Sequence, residues 1–481
     1  MNTQHKNSQE SLAKPTYSMP FVDLRAQYSA YKSEIDTAIA RVLDSQVFIL
    51  GAESEALEEE LARFVGARYV LTCSSGTSAL LLALLALGVQ RGDEVITSVF
   101  SFVAAAEMIA FVGATPVFVD IMPDSYMLNL DQVRAKITPR TKAIIPVCLF
   151  GAPYAVSELA AIAKSANVAI IEDGAQSFGA WVVQNTPNEF IQQNPLAESI
   201  ESDIPKVSGV GSDLYGANTC ALDSASGIYA SECAESNKLS YDKNFLPQHR
   251  LYSPCFGDIG ITSFFPSKPL ACYGDGGAVF CKDKALYERL QKLRNHGQSS
   301  KYEHKILGLN ARLDDLQCAI LRIKLKYFAD ECIVRNKVAQ NYRTHHIQYS
   351  ATNPLWRYLI PQKIEYNSAS VYAQYVLRLD SHTLILESSI KQAGISRPNT
   401  LRTKLLTRLA HHSIPTAIHY PKPLHLQEAF AFLGHKKGEF PVAERVCEEI
   451  FSLPFSPFLS LEAQCTVTKS LDSALSELTR P

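Results

Sequence analysis

Residues 94–119 read EVITSVFSFVAAAEMIAFVGATPVFV, which is an apolar strand, a helix-like stretch and a second apolar strand. The two strands are predicted at Glu94–Ser98 and Pro116–Val119. The same alternation continues on either side, with further short apolar strands predicted at Tyr69–Thr72, Ala143–Val147, Ala169–Glu172, Asp258–Phe264 and Gly277–Cys281. Strands that are covered by helices on both faces are apolar along their whole length. The pattern therefore predicts an α/β fold with a mostly parallel sheet sandwiched by helices, and places ligands beyond the carboxyl ends of its strands.

Around this sheet the chain divides into predicted parts. Residues 1–18 are polar and form a loose tail, residues 19–312 form the large α/β domain, and residues 313–481 form a smaller α+β domain. Residues 182–257 are rich in Gln, Asn, Ser and Asp, so we expect a partly disordered surface insertion, with a small ordered subdomain as the alternative. The remaining predicted elements are helices at Ala30–Leu43, Glu53–Phe64, Leu313–Cys332 and Val442–Phe451, and strands at Ser370–Leu379 and Thr416–His419.

Composition excludes several classes of function. The 481 residues are 47% hydrophobic and 20% charged with a net charge of −2, so neither nucleic-acid binding nor a polybasic membrane contact is expected. The longest apolar run, Ala79–Gly88, is too short to span a bilayer. The eleven cysteines lack CxxC spacing, which favours reduced thiols and a cytoplasmic location.

Two segments at predicted strand ends carry candidate binding residues. Residues 72–79, TCSSGTSA, lead from a strand through small residues into a helix, and such a helix N-terminus suits a phosphate. An ordinary helix cap is the alternative interpretation. Residues 170–177, IIEDGAQS, put Asp173 at the end of an apolar strand, where a buried carboxylate needs a cationic partner such as a protonated pyridine nitrogen. A helix-capping aspartate would have the same local sequence.

A third segment points to the chemistry. Residues 262–270, TSFFPSKPL, place Lys268 in an aromatic and proline-rich loop after a strand, and GDGG follows at 274–277. Desolvation there would lower the pKa of the lysine and allow it to form an imine and carry a proton. A surface lysine that caps a turn would not explain the surrounding phenylalanines and prolines.

Three stretches together, SFFPSKPL (263–270), YGDGG (273–277) and IEDGAQSFGA (171–180), resemble the DegT–StrS family of nucleotide-sugar aminotransferases. The resemblance covers the chain from Phe21 to Pro457, apart from the insertion near residues 182–257 and a smaller one near 391–405. It implies the fold-type I architecture, pyridoxal 5'-phosphate as cofactor, a nucleotide-sugar substrate, an amino-acid donor (L-glutamate by family habit) and a homodimer with shared active sites.

The resemblance also implies roles for individual residues. Lys268 forms the Schiff base and moves the proton, and Asp173 pairs with the pyridine nitrogen. Phe102 and Gln176 flank the cofactor ring. The phosphate is held by Gly76, Thr77 and Ser263, and by Asn310 from the neighbouring subunit.

On the substrate side, HGQSSKY (296–302), SVYAQY (370–375) and PTAIHYP (415–421) are most similar to the branch that aminates C3 of a UDP-linked 3-keto sugar. In that branch the residues that match Arg312, His419 and Tyr420 contact the sugar. A guanidinium suits a carboxylate or pyrophosphate, although an ion pair of Arg312 with Asp314 or Asp315 is the alternative.

The chain departs from the family pattern at Cys148, where many members carry histidine, at Gly174, which replaces an alanine, and at the insertion. Three rival functions stay open at this point. A family branch with histidine in place of the lysine performs dehydration, which Lys268 argues against. A second branch aminates C4 of a 4-keto-6-deoxy sugar, and a third possibility is a non-catalytic regulatory protein with the same fold.

Overall fold

The computed structural model describes residues 19–183, 250–387 and 398–478. The predictions for the tail and for most of the insertion lie outside these residues. The helices are α1 Leu24–Ser45, α2 Ala52–Val65, α3 Gly76–Ala86, α4 Ala104–Phe111, α5 Leu130–Lys136, α6 Val156–Ala166, α7 Lys284–Arg294, α8 Asp315–Thr352, α9 Ser381–Glu387, α10 Pro398–His411, α11 Pro441–Glu449 and α12 Leu461–Ser476. The strands are β1 Tyr69–Cys73, β2 Glu94–Ser98, β3 Thr115–Val119, β4 Thr141–Ile145, β5 Ala169–Asp173, β6 Trp181–Val183, β7 Arg250–Tyr252, β8 Ile259–Ser263, β9 Gly277–Cys281, β10 Gln298–Ser300, β11 Glu303–His304, β12 Leu359–Pro361, β13 Ser368–Ala369, β14 Tyr375–Leu379 and β15 Ile450–Leu453. Among these described helices, none is long and apolar enough to cross a membrane.

Seven strands form the main sheet in the order β1–β9–β8–β5–β4–β2–β3. The neighbours from β8 to β3 pair in parallel, and β9 runs antiparallel to both β1 and β8. The prediction of a mostly parallel sheet is therefore confirmed. Strand β4 begins two residues earlier than predicted, and Val147 forms only an isolated bridge with Asp173.

Successive residues of the central strands face opposite sides of the sheet and pack into two different cores. Ile144 and Ile170 belong to one apolar cluster, whereas Ile145 and Ile171 belong to the other. Because side chains alternate along a strand, a strand that is buried on both faces is expected to be mostly apolar. This explains the uninterrupted apolar runs from which the sheet was predicted.

The two ends of the insertion are ordered and adjacent. Strand β6 pairs antiparallel with β7, with Val183 opposite Arg250, and β13 pairs with the other edge of β6. Short strands thus border the predicted insertion at both ends, and its partial disorder stays a prediction. Beyond β7, Cys255 and Phe256 are buried in the main cores.

The C-terminal part has a core of its own and a three-stranded antiparallel sheet in the order β12–β14–β15. Helix α8 packs on α1 through residues such as Ile320 and Ile323, and reaches the C-terminal core through residues such as Val338 and Tyr342. The helix thus joins both parts of the chain, and the domain boundary at residues 312–313 stays a prediction.

Three C-terminal predictions need correction. The segment Thr416–His419 makes one isolated bridge, Ala417 with Ser452, instead of a strand. The predicted strand Ser370–Leu379 is confined to β14, because the chain turns at Tyr372, which has a positive φ of 47°. The predicted helix Val442–Phe451 ends at Glu449, and the next two residues open β15.

A buried aspartate ties the C-terminal part to the main sheet. Asp120 follows β3 directly and is 2% exposed. Its carboxylate accepts hydrogen bonds from the N–H groups of Val442 (3.0 Å) and Ala443 (2.8 Å), in the first turn of α11. These amides have no acceptor within their own helix, so a carboxylate from the sheet caps α11.

Candidate active site

The N-terminus of α3 lies between the ends of β1 and β8. Ser75 caps this helix by accepting a hydrogen bond from an amide of the first turn at 3.0 Å. A Cβ at Gly76 would lie 2.7 Å from Ser263 Cβ, and a Cβ at Gly277 would lie 2.5 Å from the carbonyl carbon of Ser75. The two glycines thus allow three segments to meet closely. Gly76, Thr77 and Ser263 come together at the positive end of a helix dipole, which favours an anion.

Asp173 and Lys268 lie together beyond the ends of two neighbouring strands. Asp173 ends β5 and is 7% exposed. Burial raises the pKa of Asp173, while the amide of Ala175, which donates to it at 3.1 Å, and the charge of Lys268 act in the opposite direction. Burial lowers the pKa of the half-buried Lys268, and the negative charge of Asp173 opposes this shift. Each group therefore lies within the field of the other, as the two predicted roles require.

The loop that carries Lys268 is closed on itself. The amide of Lys268 donates to the carbonyl of Phe265 (2.8 Å), and the amide of Cys272 donates to the carbonyl of Phe264 (2.8 Å). Phe264 is fully buried in the core, whereas Phe265 is 51% exposed. Of the two phenylalanines, Phe264 anchors the loop and Phe265 faces its outer surface.

Gln176 connects the sheet to Tyr420. Its Oε1 accepts a hydrogen bond from the backbone N–H of Phe150, and its Nε2 donates to the hydroxyl oxygen of Tyr420 at 3.3 Å. Burial raises the pKa of Tyr420, and Asp173 adds to this rise. The ring of Phe102, which is 59% exposed, lies 6.3 Å from the ring of Tyr420. Gln176, Tyr420, Asp173 and Phe102 therefore share one site.

His419 lies on the same segment as Tyr420 and faces Lys268. Its Nδ1 lies 3.0 Å from the hydroxyl oxygen of Ser452. Burial lowers the pKa of His419, and the positive charge of Lys268 lowers it further. Both effects favour the neutral form of the imidazole.

Asn310 and Arg312 occupy a different environment. Asn310 is exposed, and the carbonyl of Ala311 accepts a hydrogen bond from the amide of Ser74 at 3.0 Å. Arg312 donates to the Asn295 side chain at 2.6 Å rather than to Asp314 or Asp315, so the alternative interpretation of this arginine is wrong. Within residues 19–183, 250–387 and 398–478, the contacts of one chain do not join Arg312 to Lys268, His419 or Tyr420.

Sequence reasoning missed a buried polar cluster around Glu172, the residue before Asp173. Glu172 accepts hydrogen bonds from the hydroxyl of Ser253 and from the amide of Phe256 (2.7 Å), and the thiol of Cys148 lies 3.6 Å away. Burial raises the pKa of Glu172 to about 7. The only signal in the sequence is an acidic residue inside an apolar strand.

Both point departures from the family pattern lie against this cluster. Cys148 contacts Glu172, and a Cβ at Gly174 would lie 2.8 Å from Pro254 Cβ and 3.0 Å from the hydroxyl oxygen of Ser253. The cysteine and the glycine thus accommodate the segment that returns from the insertion.

The described residues fit pyridoxal phosphate. A close-packed anion site, a buried carboxylate and a half-buried lysine with a lowered pKa stand at the ends of adjacent strands, and the exposed ring of Phe102 lies beside them. Gly76, Thr77 and Ser263 would hold the phosphate, Asp173 the pyridine nitrogen, and Lys268 the aldehyde carbon.

Known proteins are similar to this chain over nearly its whole length. UDP-2-acetamido-2-deoxy-3-oxo-D-glucuronate aminotransferase from Pseudomonas aeruginosa is 37% identical over 439 residues, which cover 91% of this chain and 95% of that protein. UDP-N-acetyl-3-dehydro-alpha-D-glucosamine 3-aminotransferase from Acidithiobacillus ferrooxidans is 34% identical over 92% of this chain and 94% of that protein. A dTDP-3-amino-3,6-dideoxy-alpha-D-galactopyranose transaminase from Aneurinibacillus thermoaerophilus is 32% identical over 92% of this chain and 96% of that protein.

The fold is similar to solved structures as well. An S. venezuelae protein, crystallised in complex with a ketimine intermediate, is 30% identical with a TM-score of 0.72, and the match covers 96% of this chain and 99% of that one. The profile of the DegT/DnrJ/EryC1/StrS aminotransferase family matches residues 29–186 and 253–472, so the gap between its two parts coincides with the predicted insertion. The chain therefore belongs to the DegT/DnrJ/EryC1/StrS aminotransferase family and is a pyridoxal-phosphate-dependent aminotransferase that acts in sugar metabolism.

Proposed function

We propose that this enzyme transfers an amino group from L-glutamate to the C3 keto group of a UDP-linked 3-keto sugar, with a uronate as the favoured substrate. The observation that carries the proposal is the grouping of His419 and Tyr420 with Lys268 and Asp173. These four residues come from the C-terminal part and from the main sheet, and we expect the sugar ring to meet the lysine in a cleft between them.

The acid–base chemistry is proposed to reside in Lys268. Bound pyridoxal phosphate supplies an electron sink for the carbon that loses its proton. Lys268 is suited to move that proton because burial lowers its pKa, which favours the neutral amine. An ionised Asp173 would favour a protonated pyridine nitrogen, and the charge of Lys268 opposes the rise in the pKa of Asp173 that burial causes.

The sugar is proposed to lie against His419 and Tyr420. The hydroxyl oxygen of Tyr420 accepts a hydrogen bond from Gln176, so its own proton is available to an acceptor in the cleft. The exposed ring of Phe102 offers an apolar surface beside it. A ring with several hydroxyl and keto oxygens suits these donors.

Arg312 is proposed to bind an anionic group of the substrate, as a residue of the neighbouring subunit. Its Nε is buried and has no hydrogen-bond partner among the described residues. A guanidinium binds carboxylates and phosphates in a fork, and an unused buried donor is costly. Asn310, on the same exposed segment, would reach the phosphate of the partner's cofactor.

Exposed apolar side chains support the homodimer. Val47, Phe48 and Ile49 are each at least 38% exposed, and this stretch is held against α8 by the amide of Asp315, which donates to the carbonyl of Phe48 at 2.8 Å. Leu307, near Asn310, is 96% exposed. Contiguous apolar surface of this kind is typical of protein–protein interfaces.

The names of the relatives support the proposed ring position, C3, more strongly than the proposed nucleotide, UDP. The names of the two UDP-sugar relatives contain a 3-oxo or 3-dehydro group, and the name of the dTDP-sugar relative contains a 3-amino group. Their nucleotides differ, so the preference for UDP follows from the higher identity of the UDP-sugar enzymes. Buried thiols such as Cys73, Cys148 and Cys272 fit a cytoplasmic enzyme that supplies precursors for cell-surface polysaccharides.

A matrix of substrates tests this function. UDP- and dTDP-linked 3-keto and 4-keto sugars are each incubated with the enzyme and glutamate, and the amine is detected by mass and located by NMR. We expect the fastest turnover with a UDP-linked 3-keto sugar and a C3 amine as product. A C4 amine would favour the rival branch, and a glutamate half-reaction without any sugar product would show that the substrate class is wrong.

A further inference from the structure

Ser452 lies in an apolar strand but makes polar contacts to the site. It is fully buried in β15, between the buried residues Phe451 and Leu453. Its hydroxyl oxygen lies 3.0 Å from His419 Nδ1. A buried hydroxyl requires a hydrogen-bond partner, and His419 provides it.

The same serine also fixes the backbone beside His419. The amide of Ser452 donates to the carbonyl of Ala417 at 2.8 Å, and the amide of Ala417 donates back at 3.3 Å. On its other side Ser452 is paired with Val376 in β14. His419 follows Ala417 by only two residues. Backbone and side chain of Ser452 therefore act on the same segment.

The contact with Ser452 leaves the second nitrogen of the His419 imidazole to bind a ligand. With Nδ1 held by Ser452, only Nε2 is left to face the cleft, where the charge of Lys268 acts on the ring. Among the described residues the Ser452 hydroxyl pairs with His419 alone, so it is expected to donate to Nδ1 and to leave the ring proton on Nε2. A ring that is free to rotate or to change tautomer would offer a sugar hydroxyl a mixture of donating and accepting nitrogens.

We propose that Ser452 is a positioning residue that holds the His419 ring in one rotation and one tautomer, so that Nε2 makes a single defined hydrogen bond to the sugar. This rests on the function proposed above, since the sugar is the ligand that Nε2 would meet. Ser452 itself touches neither substrate nor cofactor.

The kinetic test uses Ser452→Ala, which removes the hydroxyl and keeps the backbone pairing. We expect kcat/KM for the sugar half-reaction to fall about tenfold, the effect of losing one hydrogen bond, with the glutamate half-reaction within about twofold of wild type. Ser452→Cys keeps a weak donor of similar size and should lie between wild type and Ser452→Ala. The matched control is Ser381→Ala, because Ser381 is also fully buried and donates to a carboxylate, that of Glu449, at 3.1 Å. It should leave both half-reactions unchanged.

A second readout needs no substrate. In protein labelled with ¹⁵N-histidine, the His419 nitrogens are identified by their absence from the spectrum of His419→Gln. We expect wild type to show one tautomer and Ser452→Ala to show an averaged pair of shifts. An averaged pair in wild type, or an unchanged tautomer in Ser452→Ala, would overturn the positioning role.

The two readouts separate this inference from the proposed function. One outcome is a tautomer that is fixed in wild type and released in Ser452→Ala, while the wild-type enzyme aminates none of the keto sugars. That result supports the positioning role of Ser452 and refutes the proposed function. A wild-type enzyme that aminates the sugar, with Ser452→Ala equally fast, refutes the positioning and leaves the function intact.

Discussion

The surroundings of Asp173 and Lys268 differ sharply from those of Asn310 and Arg312. The first pair lies at the ends of adjacent strands, and each group acts on the ionisation of the other within one chain. Of the second pair, Asn310 is exposed, and Arg312 reaches Asn295 and keeps a buried Nε without a described partner. One chain thus brings Asp173 and Lys268 together, whereas Asn310 and Arg312 are proposed to act across a dimer, on the cofactor and substrate of the partner subunit.

The largest effect is expected at Lys268. Lys268→Ala should lower turnover at least about 10³-fold, because the variant loses both the nucleophile and the proton carrier. It should also lose the covalent cofactor adduct that borohydride traps, as measured by mass spectrometry. Lys324→Met is the control, because Lys324 is also a buried lysine but contacts the ring of Tyr273 instead. A Lys268→Ala protein that still traps cofactor would place the Schiff base elsewhere.

The next largest effect tests whether the second region serves the partner subunit. Asn310→Ala and Lys268→Ala subunits, each nearly inactive alone, should regain about a quarter of the wild-type activity in a random mixture, since half of the dimers would hold one intact site. The mixed species is isolated with two different affinity tags and assayed for turnover. Inactive mixed dimers would mean that each chain builds its site alone, and the contrast between the regions would disappear.

Arg312→Ala should weaken the sugar half-reaction by about 2 kcal/mol in transition-state stabilisation, roughly thirtyfold, while the glutamate half-reaction stays nearly intact. Arg312→Lys keeps the charge and loses the fork, so it separates charge from geometry. Asn295→Ala is the matched control because it removes the intrachain partner of Arg312. The absorbance change in single-turnover experiments gives the rate of each half-reaction separately. An equal loss in both halves would assign Arg312 to the amino donor or to the fold.

A change in the free energy of unfolding, similar in size to the effect of Arg312→Ala on transition-state stabilisation, is expected from Glu172, the buried residue next to Asp173. Its pKa in the folded protein is about 7, above the ordinary value of 4.5, so the folded state keeps a proton that the unfolded chain releases. The resulting stability is fully present below about pH 4.5 and is lost as the pH rises toward 7. Relative to Glu172→Gln, wild type should therefore lose about 3 kcal/mol across this window. Tm measured from pH 5 to pH 8 gives the difference, and parallel curves for the two proteins would contradict it.

The smallest effect is expected from removing residues 184–249. Val183 and Arg250 are partners in an antiparallel ladder, so an Asn-Gly turn can join them. We expect Tm and turnover close to wild type, because neither region of the comparison lies in the deleted segment. Joining Val183 to Phe256 also removes β7 and Ser253, the partner of Glu172, and should lower Tm. If the variant that joins Val183 to Arg250 through the Asn-Gly turn fails to bind cofactor, the insertion supports the site.

The sheet was predictable where burial alone decides the sequence. Strands β2 and β9 begin and end where predicted, because every side chain in them is buried on one face or the other. Thr416–His419 has the same apolar character, but only Ala417 meets a partner, and that partner lies in β15. Local composition cannot show how far a distant strand extends.

The placement of Asp173 and Lys268 was predictable, because each follows a strand of the sheet that the apolar pattern indicates. Ser452 could not be found in this way. A serine in the apolar run Ile450–Leu453 carries no local sign of the histidine with which it pairs. The hydrogen bond from Arg312 to Asn295 depends likewise on the turn that follows α7, which places the two residues side by side.

The aspartate cap on α11 has a mechanical consequence. Asp120 anchors the helix to the edge of the sheet, and the helix runs directly into β15, which carries Ser452. Helix α11, which has nine residues, thus connects the sheet rigidly to Ser452, the residue that contacts His419. A swing of the whole C-terminal part would strip a buried carboxylate of two donors, at about 1–3 kcal/mol for each. Substrate entry is therefore expected to depend on small side-chain movements at the rim, such as those of Phe102 and Phe265, rather than on a hinge between the two parts.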